Sequence, residues 1–122
     1  MAWKKTPYKK FNNQPIWVGN VYFQSKLEAN HYLQLLDLLS TGAIERLELQ
    51  PSYPIYVPNL ETNQLMKCGE YRADFRFFDN RTNQLRVADS KGMDLALSKF
   101  KRKQVNWQYG INVEVWFKNQ VI

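Results

Sequence analysis

Two strand-like segments flank a turn-rich hexapeptide: EYRADFRFF at 70–78, DNRTNQ at 79–84 and LRVADSK at 85–91. A hairpin closed by that turn sets Phe78 opposite Leu85, and the same register carries Asp74 opposite Asp89. Cβ atoms of directly opposed residues lie ~4.5–5.5 Å apart. Lys91, two residues beyond Asp89, shares their face because strand side chains alternate. A register slip of two residues still leaves all three on one side. Opposed carboxylates repel, so the pattern calls for a compensating cation. Lys91 supplies part of that charge, and a divalent metal with a taste for oxygen ligands, magnesium or manganese, suits the rest. The same pattern also describes an ordinary solvent-facing Asp–Lys ladder.

The rest of the chain reads as a small α/β domain with a mixed sheet. Trp17, Val18, Val21, Tyr22 and Phe23 surround Gly19-Asn20 and suit a short hairpin. Ser25 and Glu28 have the spacing of a capping box, and Gly42 ends the helix that follows. Tyr32, Leu35 and Leu39 fall within about 40° of Glu28 on the wheel, which places a carboxylate at the head of the apolar stripe. Residues 46–57 alternate as strand with a break at Pro51, and 59–68 read as a loop. Asp94 is placed to cap a second helix running to Tyr109, with Met93, Ala96, Leu97, Phe100 and Trp107 as its apolar face. A closing strand over 111–117 follows, with Asn112, Glu114 and Trp116 facing away from the core.

Composition narrows the function classes. A chain of 122 residues with 44% hydrophobic and 23% charged residues is one globular domain, not a disordered segment. Cys68 is the only cysteine and His31 the only histidine, which excludes an internal disulfide, a Cys/His zinc site and multi-histidine catalysis. His31 reads as a half-buried helix residue. No apolar run is long enough to span a bilayer, and the N-terminus lacks the apolar stretch of a secretory signal, so the expectation is a cytoplasmic protein. The net charge of +6 is concentrated in two places. Lys4, Lys5, Lys9 and Lys10 form one cluster, and Lys99, Lys101, Arg102 and Lys103 form the other. The remainder is slightly acidic. Two basic patches on a near-neutral body point to a polyanion, first of all a nucleic acid. Residues 1–15 read as a basic arm whose Trp3, Tyr8 and Phe11 either stack on bases or anchor it to the domain formed by 16–122.

Four phrases, in order, resemble the small phage-type members of the PD-(D/E)xK nuclease superfamily. They are VYFQSKLEA at 21–29, GAIERLELQPSYPI at 42–55, EYRADFRF at 70–77 and VADSKG at 87–92. The resemblance implies a single restriction-endonuclease-like domain, a mixed sheet flanked by helices in the order α-β-β-β-α-β. It also implies a metal-dependent endonuclease that hydrolyses DNA phosphodiesters, with RNA as the other candidate substrate. Nothing in the sequence resembles a base-reading module, so the expectation is recognition by DNA structure, such as branches, flaps or ends. Asp74, Asp89 and the Ser90 backbone carbonyl would hold Mg2+ or Mn2+. Lys91 would act on the attacking water, Glu28 on the metal or its water shell, and Gln50 on water or substrate. Each of the last two also has a plainer role, Glu28 as a capping-box carboxylate and Gln50 as a strand-end polar group. Asp89 stands where many members carry Glu, and Ala73 where the signature has proline. Cutting both strands of a duplex would call for a homodimer. A non-catalytic module on the same fold, binding nucleic acid or a partner, is the alternative.

Overall fold

The computed structural model describes residues 16–122. A short hairpin, β1 (Ile16–Val18) and β2 (Val21–Phe23), leads into helix α1 (Lys26–Thr41). Five strands follow: β3 (Ile44–Leu49), β4 (Ser52–Asn59), β5 (Gln64–Arg72), β6 (Phe75–Asp79) and β7 (Gln84–Ser90). Helix α2 (Ala96–Tyr109) and strand β8 (Val113–Trp116) complete the chain. The architecture is mixed α/β. Strands β3, β6, β7 and β8 form a four-stranded sheet in that order, antiparallel except for the parallel β7–β8 pair, while β4 and β5 form a separate two-stranded ribbon.

Local signals set the ends of α1. Ser25 accepts the Glu28 amide at 3.1 Å, and Gly42 takes the left-handed C-cap conformation (φ 82°). The sheet then separates two cores. On one side Phe75, Phe77, Ala88 and Trp116 pack with Phe23, Ala29 and Leu35, under α1. On the other, Val87 and Val113 pack with Val105 of α2 and with Tyr53, Ile55 and Tyr71 at the base of the ribbon. Alternation along β7 assigns Val87 and Asp89 to the α2 side and Ala88 and Ser90 to the α1 side.

The β6–β7 register is the one the turn implies, with Phe78 opposite Leu85 and Phe75 opposite Ala88. Asp79 and Gln84 themselves pair, so the turn is four residues rather than six. Other expectations are corrected. Residues 70–78 are not one strand: the chain breaks at Ala73-Asp74, sending EYR into the ribbon and FRFFD into the sheet. The expected loop at 59–68 is a turn followed by the first half of β5. Its residues 64–68 are all exposed, so no apolar alternation marks them as strand. Asn59 Oδ1 accepts the Glu61 and Thr62 amides and starts that turn. Pro54 and Pro58 are tolerated in β4 because the ribbon leaves one edge of that strand without a ladder.

Two faces are reversed from the periodicity reading. Trp116 is buried among Phe75 and Phe77, while Phe117 is exposed, because β8 is covered on both sides. Asp94 does not cap α2, whose N-cap is Leu95 with no side-chain bond; Asp94 instead binds Arg102. The buried residues of α2 are Arg102 and Val105, and Leu97, Phe100 and Trp107 point to solvent. No helix of the described residues is long and apolar enough to cross a membrane.

The Trp116 assignment is testable. Trp116→Ala should cost about 3–5 kcal/mol of stability in chemical denaturation. Phe117→Ala, one residue on, should cost less than about 1 kcal/mol. Equal losses would put both residues in the core.

Candidate metal centre

The break between ribbon and sheet creates the site. As the chain turns at Asp74, its amide donates to the Ala88 carbonyl (3.1 Å) and to Asp89 Oδ1 (2.9 Å). In return the Ser90 amide donates to Asp74 Oδ2 at 2.7 Å. Each aspartate therefore uses one carboxylate oxygen to continue the ladder past the last regular pair. Asp89 Oδ2 is left buried with no hydrogen-bond partner, in a residue only 2% exposed.

Burial pushes the carboxyls up. Asp89 rises to about 6, mainly by desolvation, with Lys91 acting against it. Asp74 is also raised by burial, opposed by the Ser90 amide and by the Lys91 charge. Glu28, in the first turn of α1, rises to about 7 through burial and then through the negative charges of Asp74 and Asp89. The aspartate charges act on Glu28 and the Lys91 charge acts on both aspartates, so the four groups are neighbours. Lys91 Nζ is 3.5 Å from Ser98 Oγ in α2.

Gln50 joins them through an unusual backbone. Its φ is 53°, a left-handed conformation that costs a non-glycine residue about 1 kcal/mol or more, and its amide donates to the Asp74 carbonyl at 2.9 Å. Two adjoining hollows of about 250 and 480 Å³ share Tyr22, Glu28, Gln50 and Asp74 in their walls. Gln24 and Arg72 complete the larger hollow. Arg72 ends β5 two residues before Asp74, and that proximity in the chain is its sequence signal.

His31 was read as a structural helix residue, and it is buried, but its partners matter to the site. Nε2 lies 3.1 Å from the Phe117 carbonyl, which can only accept, so Nε2 carries the proton. Nδ1 then accepts the Ser90 hydroxyl at 2.6 Å. Burial lowers the His31 pKa, in keeping with a neutral ring. Its position one turn after Glu28 was the sequence signal. Ser90 is thus held from the α1 side by His31 and from β6 by Asp74.

The donor set fits a hard cation. Its candidate donors are carboxylate and backbone carbonyl oxygens, the ligand type that magnesium and manganese prefer. Magnesium keeps several waters and is commonly held by one or two carboxylates. The orphaned Asp89 Oδ2, beside Asp74 and within reach of Glu28's field, is the oxygen such an ion would satisfy.

The basic patches divide. Lys4, Lys5, Lys9 and Lys10, with Trp3, Tyr8 and Phe11, lie outside the described residues. Lys99 and Lys103 are exposed and Lys101 is half-buried on α2. Arg102 is a correction: it is 8% exposed and forms a two-pronged pair with Asp94 at 3.0 and 2.5 Å. Its guanidinium stabilises the loop before α2 and is not offered to a polyanion.

A model for a protein family of unknown function, DUF1064, matches residues 8–120. The chain belongs to DUF1064. No curated protein and no solved structure matches it.

The raised carboxyls give a signed pH dependence. A carboxyl whose folded pKa exceeds its unfolded value binds more protons when folded, so its stabilising contribution is complete below the unfolded pKa and is lost as pH rises. For Glu28 the window runs from about 4.5 to about 7. The melting temperature of the metal-free protein should therefore fall over that range relative to Glu28→Gln, a comparison in which the opposing contribution of His31 cancels. Added magnesium should reduce the loss by favouring the ionised carboxylates. Parallel curves for the two proteins would remove Glu28 from the constellation.

Proposed function

We propose that this DUF1064 protein is a divalent-cation-dependent endonuclease acting on DNA, built on a restriction-endonuclease-like version of the mixed α/β fold. The observation that carries this reading is the buried, partnerless Asp89 Oδ2, behind the hollows that Glu28 and Asp74 line and close enough to Lys91 to feel its charge. A structural ion-pair cluster would satisfy that oxygen internally. The strand order lends support: β3, β6 and β7 of the main sheet lie between the helices, β8 follows α2, and the β4–β5 ribbon is an insertion between β3 and β6.

The residues divide the work. Asp74, in the bend before β6, and Asp89, in β7, present oxygen ligands whose relative position is locked by the backbone amides they accept, so little rearrangement is needed on binding. The Ser90 carbonyl is the backbone ligand in this reading, and His31 fixes Ser90 from behind. A magnesium or manganese ion held there by Asp74, Asp89 and the Ser90 carbonyl would supply Lewis-acid chemistry toward a phosphodiester and its attacking water. Lys91 donates from its ammonium to the attacking water or to a non-bridging phosphate oxygen and offsets charge as it develops. Glu28, with its raised pKa, orients water or takes a proton near neutral pH. Gln50, held against Asp74, contributes an amide that can donate and accept in the same hollow. Lys99, Lys101 and Lys103 meet the backbone phosphates, as do Lys4, Lys5, Lys9 and Lys10 of the arm.

The experiment is cleavage of branched, single-stranded and duplex DNA, with an RNA control, during magnesium and manganese titration. Wild type should give metal-dependent products. Asp89→Asn, which keeps an acceptor for the Asp74 amide, should lose at least about 10²-fold activity while staying folded. Lys91→Ala should lose a similar factor but still bind metal by calorimetry. DNA binding without cleavage on any substrate would instead establish the non-catalytic binding module.

A further inference from the structure

Helix α2 carries its apolar residues on the wrong side for a core. With Phe100 as the origin at 100° per residue, Trp107 lies within about 20° of it, and Leu97 and Lys103 about 60° to either side. The inward residues Ser98, Val105 and Arg102 lie on the opposite half. Phe100 is 62% exposed and Trp107 76%. Lys99 and Lys101 flank this stripe about 100° to each side, and the Lys103 ammonium sits over the Trp107 ring at 5.1 Å from its centroid. Leaving such side chains in water forgoes about 1.5–3 kcal/mol of burial each, and a patch of this kind marks a binding surface.

Charge decides among the occupants. Helix α2, ALSKFKRKQVNWQY, contains no acidic residue. A second copy docked face to face would oppose lysines to lysines, which favours an anionic partner over self-association. Aromatic faces alternating with lysines match unpaired nucleotides, whose bases stack while their phosphates pair. Base pairs in an intact duplex do not offer those faces. Phe100 and Trp107 are two helical turns apart, about 10 Å along the axis, room for separate bases. The helix that carries the stripe also borders the candidate centre, through its opposite face, where Lys91 Nζ meets Ser98.

We propose that the outer face of α2 is a single-stranded DNA clamp, in which Phe100 and Trp107 stack on unpaired bases and Lys99 and Lys103 hold the flanking phosphates. The choice of DNA as the anion rests on the endonuclease reading above; the stacking geometry does not. The substrate class is then DNA with an unpaired strand beside the cut, such as a flap, fork or gap.

The test is fluorescence anisotropy with labelled oligothymidylate and with duplex DNA, in EDTA so that nothing is cut. The double variant Phe100→Ala/Trp107→Ala should bind the single strand at least about tenfold more weakly and the duplex nearly as wild type does. Phe100→Tyr/Trp107→Tyr should restore single-strand binding, which a folding defect would not allow. Lys99→Ala/Lys103→Ala should reduce the slope of log affinity on log salt by about 1.4. Unchanged single-strand affinity in the double alanine variant overturns the clamp. So does tighter wild-type binding to oligouridylate or to anionic vesicles than to oligothymidylate, or a concentration-dependent dimer in sedimentation that the double variant abolishes. Because binding is read without metal, a wild type that binds single strands through this face yet cuts nothing refutes the nuclease and leaves the clamp standing. A wild type that cuts DNA while the double variant cuts and binds equally well does the reverse.

Discussion

Where β6 and β7 run out of regular pairing, two aspartates take over the ladder. The Asp74 amide donates to Asp89, and the Ser90 amide donates to Asp74. This exchange lets the chain swing from the ribbon into the sheet without orphaning the Ser90 amide, which would cost about 1–3 kcal/mol, while the Asp74 amide also reaches the Ala88 carbonyl. The same exchange sets two carboxylates side by side in a desolvated corner, where repulsion and burial both favour protonation or a bound cation. Fold closure and candidate chemistry therefore share one set of atoms, and neither aspartate can be replaced by an apolar residue without losing both.

The segment Asp89-Ser90-Lys91 is gripped from three directions. Asp74 holds it from β6, His31 holds the Ser90 hydroxyl from α1, and the Lys91 amide donates to the Trp116 carbonyl of β8 at 2.9 Å. Trp116 in turn packs on Phe75 and Phe77 and meets the His31 ring edge-on. A second set of charges steadies the far end of the sheet. Asp79 binds Arg81 and Arg86, which hold its pKa at about 2, and Arg86 also clasps Glu114 at 2.6 Å. These pairs are complete within themselves, unlike the carboxyls at the opposite end. That contrast separates carboxylates whose oxygens are paired with guanidinium groups from a buried one, Asp89, that keeps an oxygen without a partner.

Helix α2 shows how a tertiary interaction overrides a helical wheel. Its apolar residues predict one inward face, but Arg102 reaches Asp94 in the interior and Val105 fills the space between Val87 and Val113. A buried two-pronged Arg–Asp pair is costly to break once formed, because either partner alone would be an uncompensated buried charge. The helix is therefore turned with Phe100 and Trp107 outward. Strand alternation likewise puts Trp116 outward although it is buried, and it finds no strand at 64–68, since a ribbon segment exposed on both faces has no apolar period to detect.

Short-range chemistry was determined by the sequence alone. The Ser25 cap and the Gly42 stop define α1, a turn between complementary runs sets the β6–β7 register, and side-chain alternation puts Asp74, Asp89 and Lys91 on one face. Each of these depends only on residues close in the chain or on a two-residue period. What the tertiary structure decided depends on partners far away: the break at Ala73-Asp74, the strained backbone of Gln50, the grip of His31 on Ser90 and the outward turn of α2. Local propensity cannot see which polar group will be satisfied by a residue sixty positions off, and that satisfaction is what positions these side chains.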